Sequence, residues 1–237
     1  GGPPTLKSAH EYSLVVYMNL WHPSANRRSK QAGLTKVEVL MIVAMVTVLI
    51  GLLLPGQPRH RSKGKRISCI NNLRQIGLSF RIWANDSSDD YPMGRPDEFG
   101  GVRDSLAEGK GWRAFQVLSN ELSVPKTVIC PADTRVAATN WNDLGNTHIS
   151  YFVGLDAEDT RPDMLLAGDR NLALNGRLLT GIAALGTNSP LTWTKEIHKE
   201  AGNIALADGS VMQVNTAQLR QQLAKTGDTT NRVLFPQ

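Results

Sequence analysis

Cysteine is scarce in this chain: Cys69 and Cys130 are the only two, too few for a disulfide-built scaffold and too far apart for a CxxC zinc or redox motif. Glycine and proline follow no fixed period, and no unit of solenoid length repeats, which excludes collagenous and repeat architectures. Aromatics make up 6% of the residues, and the five tryptophans (Trp21, Trp83, Trp112, Trp141, Trp193) are spread out, so they read as core or surface anchors and not as a stacking platform. No G-x-S-x-G, H-E-x-x-H, P-loop or dinucleotide fingerprint occurs, and Gly100-Gly101 is only a loop signal. What is present is a hydrophobic content of 41% against 20% charged, enough for a packed core.

The net charge of +5 suggests a nucleic-acid binder until it is divided along the chain. Residues 1–33 carry four basic and one acidic side chain, residues 34–66 six and one, and the remaining 171 sixteen and nineteen. The larger part therefore lacks the positive field that would gather phosphates, and no nucleic-acid partner is expected.

The basicity flanks one hydrophobic segment. From Val39 to Leu54 the chain reads VLMIVAMVTVLIGLLL, apolar all round except for Thr47. As a helix these residues span about 24 Å, and adding Leu34 to Glu38 brings the length to about 31 Å, close to the ~30 Å hydrocarbon core of a bilayer. A soluble helix would keep a polar stripe, and none is visible, so a membrane helix is expected over 34–55. Pro55 ends the run and predicts a kink or break; Pro58 and a basic cluster (Arg59, Arg61, Lys63, Lys65, Arg66) follow, so 56–66 reads as a basic linker or as helix continuation. Residues 1–33 are polar, basic near their end and close on Ala32-Gly33, the pattern of a targeting leader; Met18 as a start would shorten it without moving its end.

Gly33-Leu34-Thr35-Lys36-Val37-Glu38 followed by the apolar run resembles the processing and methylation motif of type IV pilins and type II secretion pseudopilins. That resemblance implies cleavage after Gly33 by a prepilin peptidase that also methylates the new terminus at Leu34. It also implies a retained Glu38 that guides assembly with other pseudopilin subunits, and a helix kink at Pro55. Leu34 stands where phenylalanine is usual, and Lys36 where an apolar residue is usual. An ionisable group in an apolar helix is costly, by about 2.5 to 3.5 kcal/mol, so Glu38 invites a functional reading: its natural partner is the amine of a neighbouring Leu34, with Lys36 or a headgroup as the local alternative. The peptidase works from the cytoplasmic side, which implies an inner-membrane, single-pass subunit with its globular part in the periplasm.

Three further motifs, CINNLRQIGL from Cys69, Cys130-Pro131-Ala132-Asp133, and His198 with Asp208-Gly209 in an H-x9-D-G spacing, resemble a bacterial subgroup of pseudopilin-like proteins with a domain of uncharacterised function. The expected fold is α+β and pilin-like: a long N-terminal helix, its first half transmembrane, packed on a small antiparallel sheet, with the globular domain at 67–237. The apolar stripe Ile67, Ile70, Leu73, Ile76, Phe80, Trp83 predicts an amphipathic helix ending near Asn85, and Gly111–Leu122 a second one. Strands are predicted at 150–153, 164–167, 203–207 and 210–214, with Asp208-Gly209 as a two-residue type I′ hairpin turn. A terminal helix is expected at 218–225, with the last dozen residues loosely held.

Cys69 and Cys130 form a disulfide or remain two buried thiols. His198, Asp169 and Asp208 are candidates for one end of the sheet, as cation ligands or as a base and its partners; the competing reading has His198 bonded to the hairpin backbone and Asp208 serving turn chemistry. Some pseudopilins bind calcium, but their ligand pattern is not visibly reproduced, so no cofactor and no enzymatic activity are expected. The alternative function is a membrane-anchored exported enzyme or binding domain that uses His198 and Asp208.

Overall fold

The computed structural model describes residues 33–53, 58–87 and 90–237. The leader up to Ala32, Leu54 and the Pro55 kink lie outside the described residues. The chain divides into two compact units at Pro55/Gly56.

In the first unit, α1 (Lys36–Leu53) is an 18-residue helix. Its start is a capping box: the Thr35 backbone N–H donates to Glu38 Oε2 (2.8 Å), the Thr35 hydroxyl donates to the same oxygen (3.0 Å), and the Glu38 N–H donates back to Thr35 Oγ1 (3.4 Å). Thr47, its one uncharged polar side chain, bonds the carbonyls of Val43 and Ala44 one turn back, so it presents little unsatisfied polarity. Val37, Leu40, Met41, Val43, Met45 and Val48 are all exposed. Among the described residues no helix is long and apolar enough to cross a membrane.

The second unit is α+β. Helix α2 (Pro58–Asp86) runs for 29 residues and takes in the basic stretch 58–66, so the expected boundary at 66/67 falls inside a helix. Leu73, Ile76 and Phe80 are fully buried, each worth about 1.5–3 kcal/mol, so the middle of the expected stripe faces the core; at its start Cys69 is buried in place of Ile67, which is exposed, and Ile70 and Trp83 are half-buried. Three short helices follow: α3 (Arg103–Ala107), α4 (Arg113–Gln116) and α5 (Ser119–Leu122). The last two replace the single helix expected over 111–122.

Among the described residues nine strands follow: β1 (Tyr151–Gly154), β2 (Leu165–Asp169), β3 (Leu172–Leu174), β4 (Arg177–Leu178), β5 (Gly181–Ala184), β6 (Leu191–Trp193), β7 (Gly202–Leu206), β8 (Val211–Val214) and β9 (Arg232–Phe235). Six form an antiparallel sheet in the order β5-β9-β1-β2-β7-β8, and β4-β3-β6 form a smaller one. Helix α6 (Thr216–Lys225) sits between β8 and β9, opened by a capping box between Asn215 and Gln218.

A single helix over a single sheet is the simplest reading of the sequence, but both faces of the central strands are buried. Tyr151, Val153, Leu166, Ala205 and Leu234 point into a core shared with Leu73, Ile76 and Phe80 of α2. Their neighbours Phe152, Leu165, Ile204, Val233 and Phe235 point the other way, into a core with Leu191, Trp193, Leu219 and Leu223 of β6 and α6. The two-residue period of a strand sorts these sets. The expectation of a loose C-terminus is corrected here: β9 lies between β5 and β1, and Val233, Leu234 and Phe235 are buried, because three consecutive apolar residues can fill two cores at once.

Candidate functional site

The densest cluster of chemically active side chains lies where the start of α2, the end of β2 and the loop before β7 meet. Cys69 and Cys130 are joined by a disulfide with their Cα atoms 5.0 Å apart. Asn72, one turn along α2, donates its side-chain amide to the Ile129 carbonyl (2.9 Å), which holds the Cys130 segment against the helix. Asp133 closes the C-P-A-D motif by taking a two-pronged bond from Arg170, Nε to Oδ2 and Nη2 to Oδ1, both 2.8 Å. Burial is the largest influence on the Asp133 carboxyl and pushes it up, but the hydrogen bonds and charge of Arg170, together with hydrogen bonds from Ser150 and the Thr134 backbone, bring the net direction down.

His198 and Asp169 meet at this point. His198 Nε2 lies 3.3 Å from Cys130 Sγ and 3.5 Å from Asp169 Oδ2. Burial pushes the imidazole down to about 4, helped by the Arg66 guanidinium. Burial likewise pushes the Asp169 carboxyl up to about 7, against the opposing hydrogen bonds from Asn203, whose backbone N–H (2.7 Å) and side-chain amide (2.9 Å) both donate to Asp169 Oδ2. The imidazole is therefore neutral at pH 7, and its contact with Asp169 is not a full ion pair. Asp169 Oδ1 is buried with no hydrogen-bond partner.

The loop carrying His198 is strained and firmly held. His198, Lys199 and Glu200 all have left-handed φ (54°, 54° and 62°), which costs of order 1–3 kcal/mol per residue. The buried amide of Asn171 offsets this by donating to the carbonyls of Thr194, Ile197 and Ala201, and Arg66 Nη2 donates to the His198 carbonyl (2.5 Å). A cavity of about 390 Å³ opens over His198, lined by Lys63, Lys65, Arg66, Lys195 and Lys199 among others.

Asp208 belongs elsewhere. It stands at the far end of β7 from His198, and five strand residues at about 3.3 Å each keep the two apart, so they form no common site. The Ser210 N–H donates to Asp208 Oδ1 (2.8 Å), which is turn chemistry. The turn differs from the two-residue type I′ form: the Gly209 N–H closes on the Leu206 carbonyl (2.9 Å), and Gly209 has positive φ (+82°) while Asp208 does not. This is a three-residue loop with a left-handed glycine. The loop docks on α2. A Cβ on Gly77 would lie 3.4 Å from Gly209 Cα, Arg81 Nη1 donates to the Asp208 carbonyl (2.9 Å), and the Tyr91 hydroxyl donates to the Ala207 carbonyl (2.5 Å). The H-x9-D-G element thus anchors β7 at both ends: His198 against the disulfide and Asp208-Gly209 against the helix. The His198 ring faces Cys130 and Asp169 instead of the hairpin backbone.

A second cavity of about 580 Å³ is lined by Arg103, Asp156, Glu158, Arg161, Asp228 and Arg232 among others; Arg232 is paired with Asp156, and none of the candidate residues from the sequence lies on it. Of the site residues, sequence reasoning missed Arg66, Asn171, Asn203 and the Asp133–Arg170 pair. Asn171 and Asn203, polar residues inside or beside apolar strand segments, were the available signal. No protein-family model, curated protein or solved structure matches the chain.

Proposed function

We propose that the chain is a pseudopilin-like structural subunit. It is inserted in the bacterial inner membrane as a prepilin, cleaved after Gly33, and assembled with like subunits into a periplasmic filament of a type II secretion or type IV pilus-like system. The observation that carries this reading is α1, a helix whose apolar side chains are exposed around its circumference. At about 25 cal/mol per Å² such a surface is strongly unfavourable in water and calls for lipid or packed neighbouring helices. The span in this reading runs from Leu34 to Pro55, with α1 as most of it. The disulfide of the second unit suits an oxidising compartment such as the periplasm.

Glu38 then has two tasks. It caps its own helix through Thr35, and it offers a carboxylate next to the amine that cleavage creates at Leu34. A neighbouring subunit's Leu34 amine pairing with that carboxylate sets the axial register of the filament. Intact-mass measurement of the chain from cells containing the prepilin peptidase tests the proposal. A terminus at Leu34, with or without one methyl group, is the expected result, and an uncleaved chain in the presence of an active peptidase overturns it.

A further inference from the structure

We infer that Cys69, Cys130, His198 and Asp169 become a four-coordinate zinc site when the disulfide is reduced. Their four ligand atoms lie within 4.8 Å of one another, and all four residues are buried. Zinc takes thiolate sulfur at about 2.3 Å and imidazole nitrogen or carboxylate oxygen at about 2.0–2.2 Å, so a tetrahedral site places neighbouring ligand atoms roughly 3.3–3.8 Å apart. The Cys130 Sγ to His198 Nε2 distance is 3.3 Å and the His198 Nε2 to Asp169 Oδ2 distance is 3.5 Å, already in that range. The two sulfurs must part, and the remaining ligand distances, all within 4.8 Å, must settle into the same range.

The surroundings supply a second, independent indication. The carboxylate oxygen facing His198 is Oδ2, and the second oxygen, Oδ1, is fully buried and bonded to nothing among the described residues, a costly condition that zinc bound through both oxygens of this carboxylate relieves. Oδ2 itself is held by two donors from Asn203, the kind of outer contact that orients a metal ligand. Two thiolates, one carboxylate and Zn²⁺ leave one negative charge, and the Arg66 guanidinium, bonded to the His198 carbonyl, stands beside it. The cavity over His198, whose wall also carries Glu196, reaches the cluster at its imidazole. Its lysines disfavour a bare dication while the disulfide is intact, and the two sulfur ligands appear only after reduction.

The chemistry balances with a dithiol as reductant. The dithiol is oxidised to its own disulfide, the Cys69–Cys130 bond accepts two electrons and two protons and breaks to two thiols, and zinc displaces both thiol protons to solvent on binding. This inference stands apart from the filament reading, since either holds without the other.

The test uses the full chain in detergent, reduced anaerobically with dithiothreitol, desalted, and titrated with Co²⁺ and then Zn²⁺. One Co²⁺ per reduced chain is expected, with a thiolate-to-metal charge-transfer band and a tetrahedral spectrum that zinc abolishes, and no such band in the oxidised chain. Outer contacts of zinc sites are worth about 10- to 100-fold in affinity, so losing a direct ligand in His198→Ala should weaken binding by about 100-fold or more. Asp169→Asn should weaken it by at least about 10-fold. Circular dichroism accompanies the titration: a reduced chain that has lost structure and recovers it with zinc supports the site, and one that stays unfolded with zinc overturns it. Absence of stoichiometric cobalt, an equal band in the oxidised chain, or binding undiminished in His198→Ala also overturns it.

Discussion

His198 Nε2 lies 3.5 Å from Asp169 Oδ2 in the interior of the second unit, and burial drives both groups toward their neutral forms. Their effects on stability run in opposite directions with pH. Asp169, raised to about 7 in the fold, binds more protons folded than unfolded, so its contribution is complete in acid and is lost as pH rises from about 4 to about 7. His198, lowered to about 4, contributes fully above its ordinary value of 6.5 and loses that contribution as pH falls toward 4. Arg66 and Asp133 also face the pair and bias it. Between pH 4 and 6.5 the two slopes oppose each other. Asp169→Asn removes one slope and keeps a hydrogen-bond acceptor for Asn203, so its stability relative to the native chain should climb steadily from pH 4 to 7. Denaturant midpoints measured across that range decide the matter, and parallel curves for the two proteins would refute the assignment.

Breaking the Cys69–Cys130 bond frees a loop with a sequence separation of 61 residues. The chain-entropy relation puts the loss for a closed loop of that size at about 4 kcal/mol. Cys69→Ser with Cys130→Ser, melted without added metal, should show a destabilisation of that order, whereas a change below about 1 kcal/mol would mean that the unfolded chain is already constrained in this region.

Glu38 can be dissected by charge and by hydrogen bonding. Glutamine is a competent third residue in a capping box, so Glu38→Gln should keep the helix start, while Glu38→Ala should lose a cap worth about 1 kcal/mol. If the carboxylate recognises a neighbour's amine, both variants insert in the membrane and both fail to enter filaments. Normal incorporation of Glu38→Gln would leave Glu38 with capping alone.

Gly77 and Gly209 face each other where the helix crosses the hairpin, with room at Gly77 for one methyl group at a 3.4 Å contact. Gly77→Ala should therefore cost little, and Gly77→Leu about 1–3 kcal/mol through overpacking. Gly209→Ala places a Cβ at φ +82° and 3.3 Å from Arg81 Cδ, and about 1 kcal/mol of destabilisation is expected from urea unfolding. A neutral Gly77→Leu would show that the hairpin does not dock as described.

The apolar period of three and four along Ile67–Trp83, the alternation around Ile204 and Phe152, and the Asp-Gly turn signal are local patterns, and the sequence by itself determined the helix and the four strands that they mark. The short strands β3 to β6 were not legible because two to four residues carry too little periodicity, and β9 was missed because Val233-Leu234-Phe235 is an apolar run without alternation. Which of the H-x9-D-G residues belong together was decided only by the tertiary structure. A strand extends, so the nine residues between His198 and Asp208 carry them to opposite ends of β7, while Cys130, Asp169 and Arg66, 68, 29 and 132 positions from His198 in the chain, are brought to it by the sheet register and the helix crossing. Asp169 and His198 came to one point because β2 and β7 are antiparallel neighbours, with Gly168 opposite Ile204, which sets the end of one strand beside the start of the other.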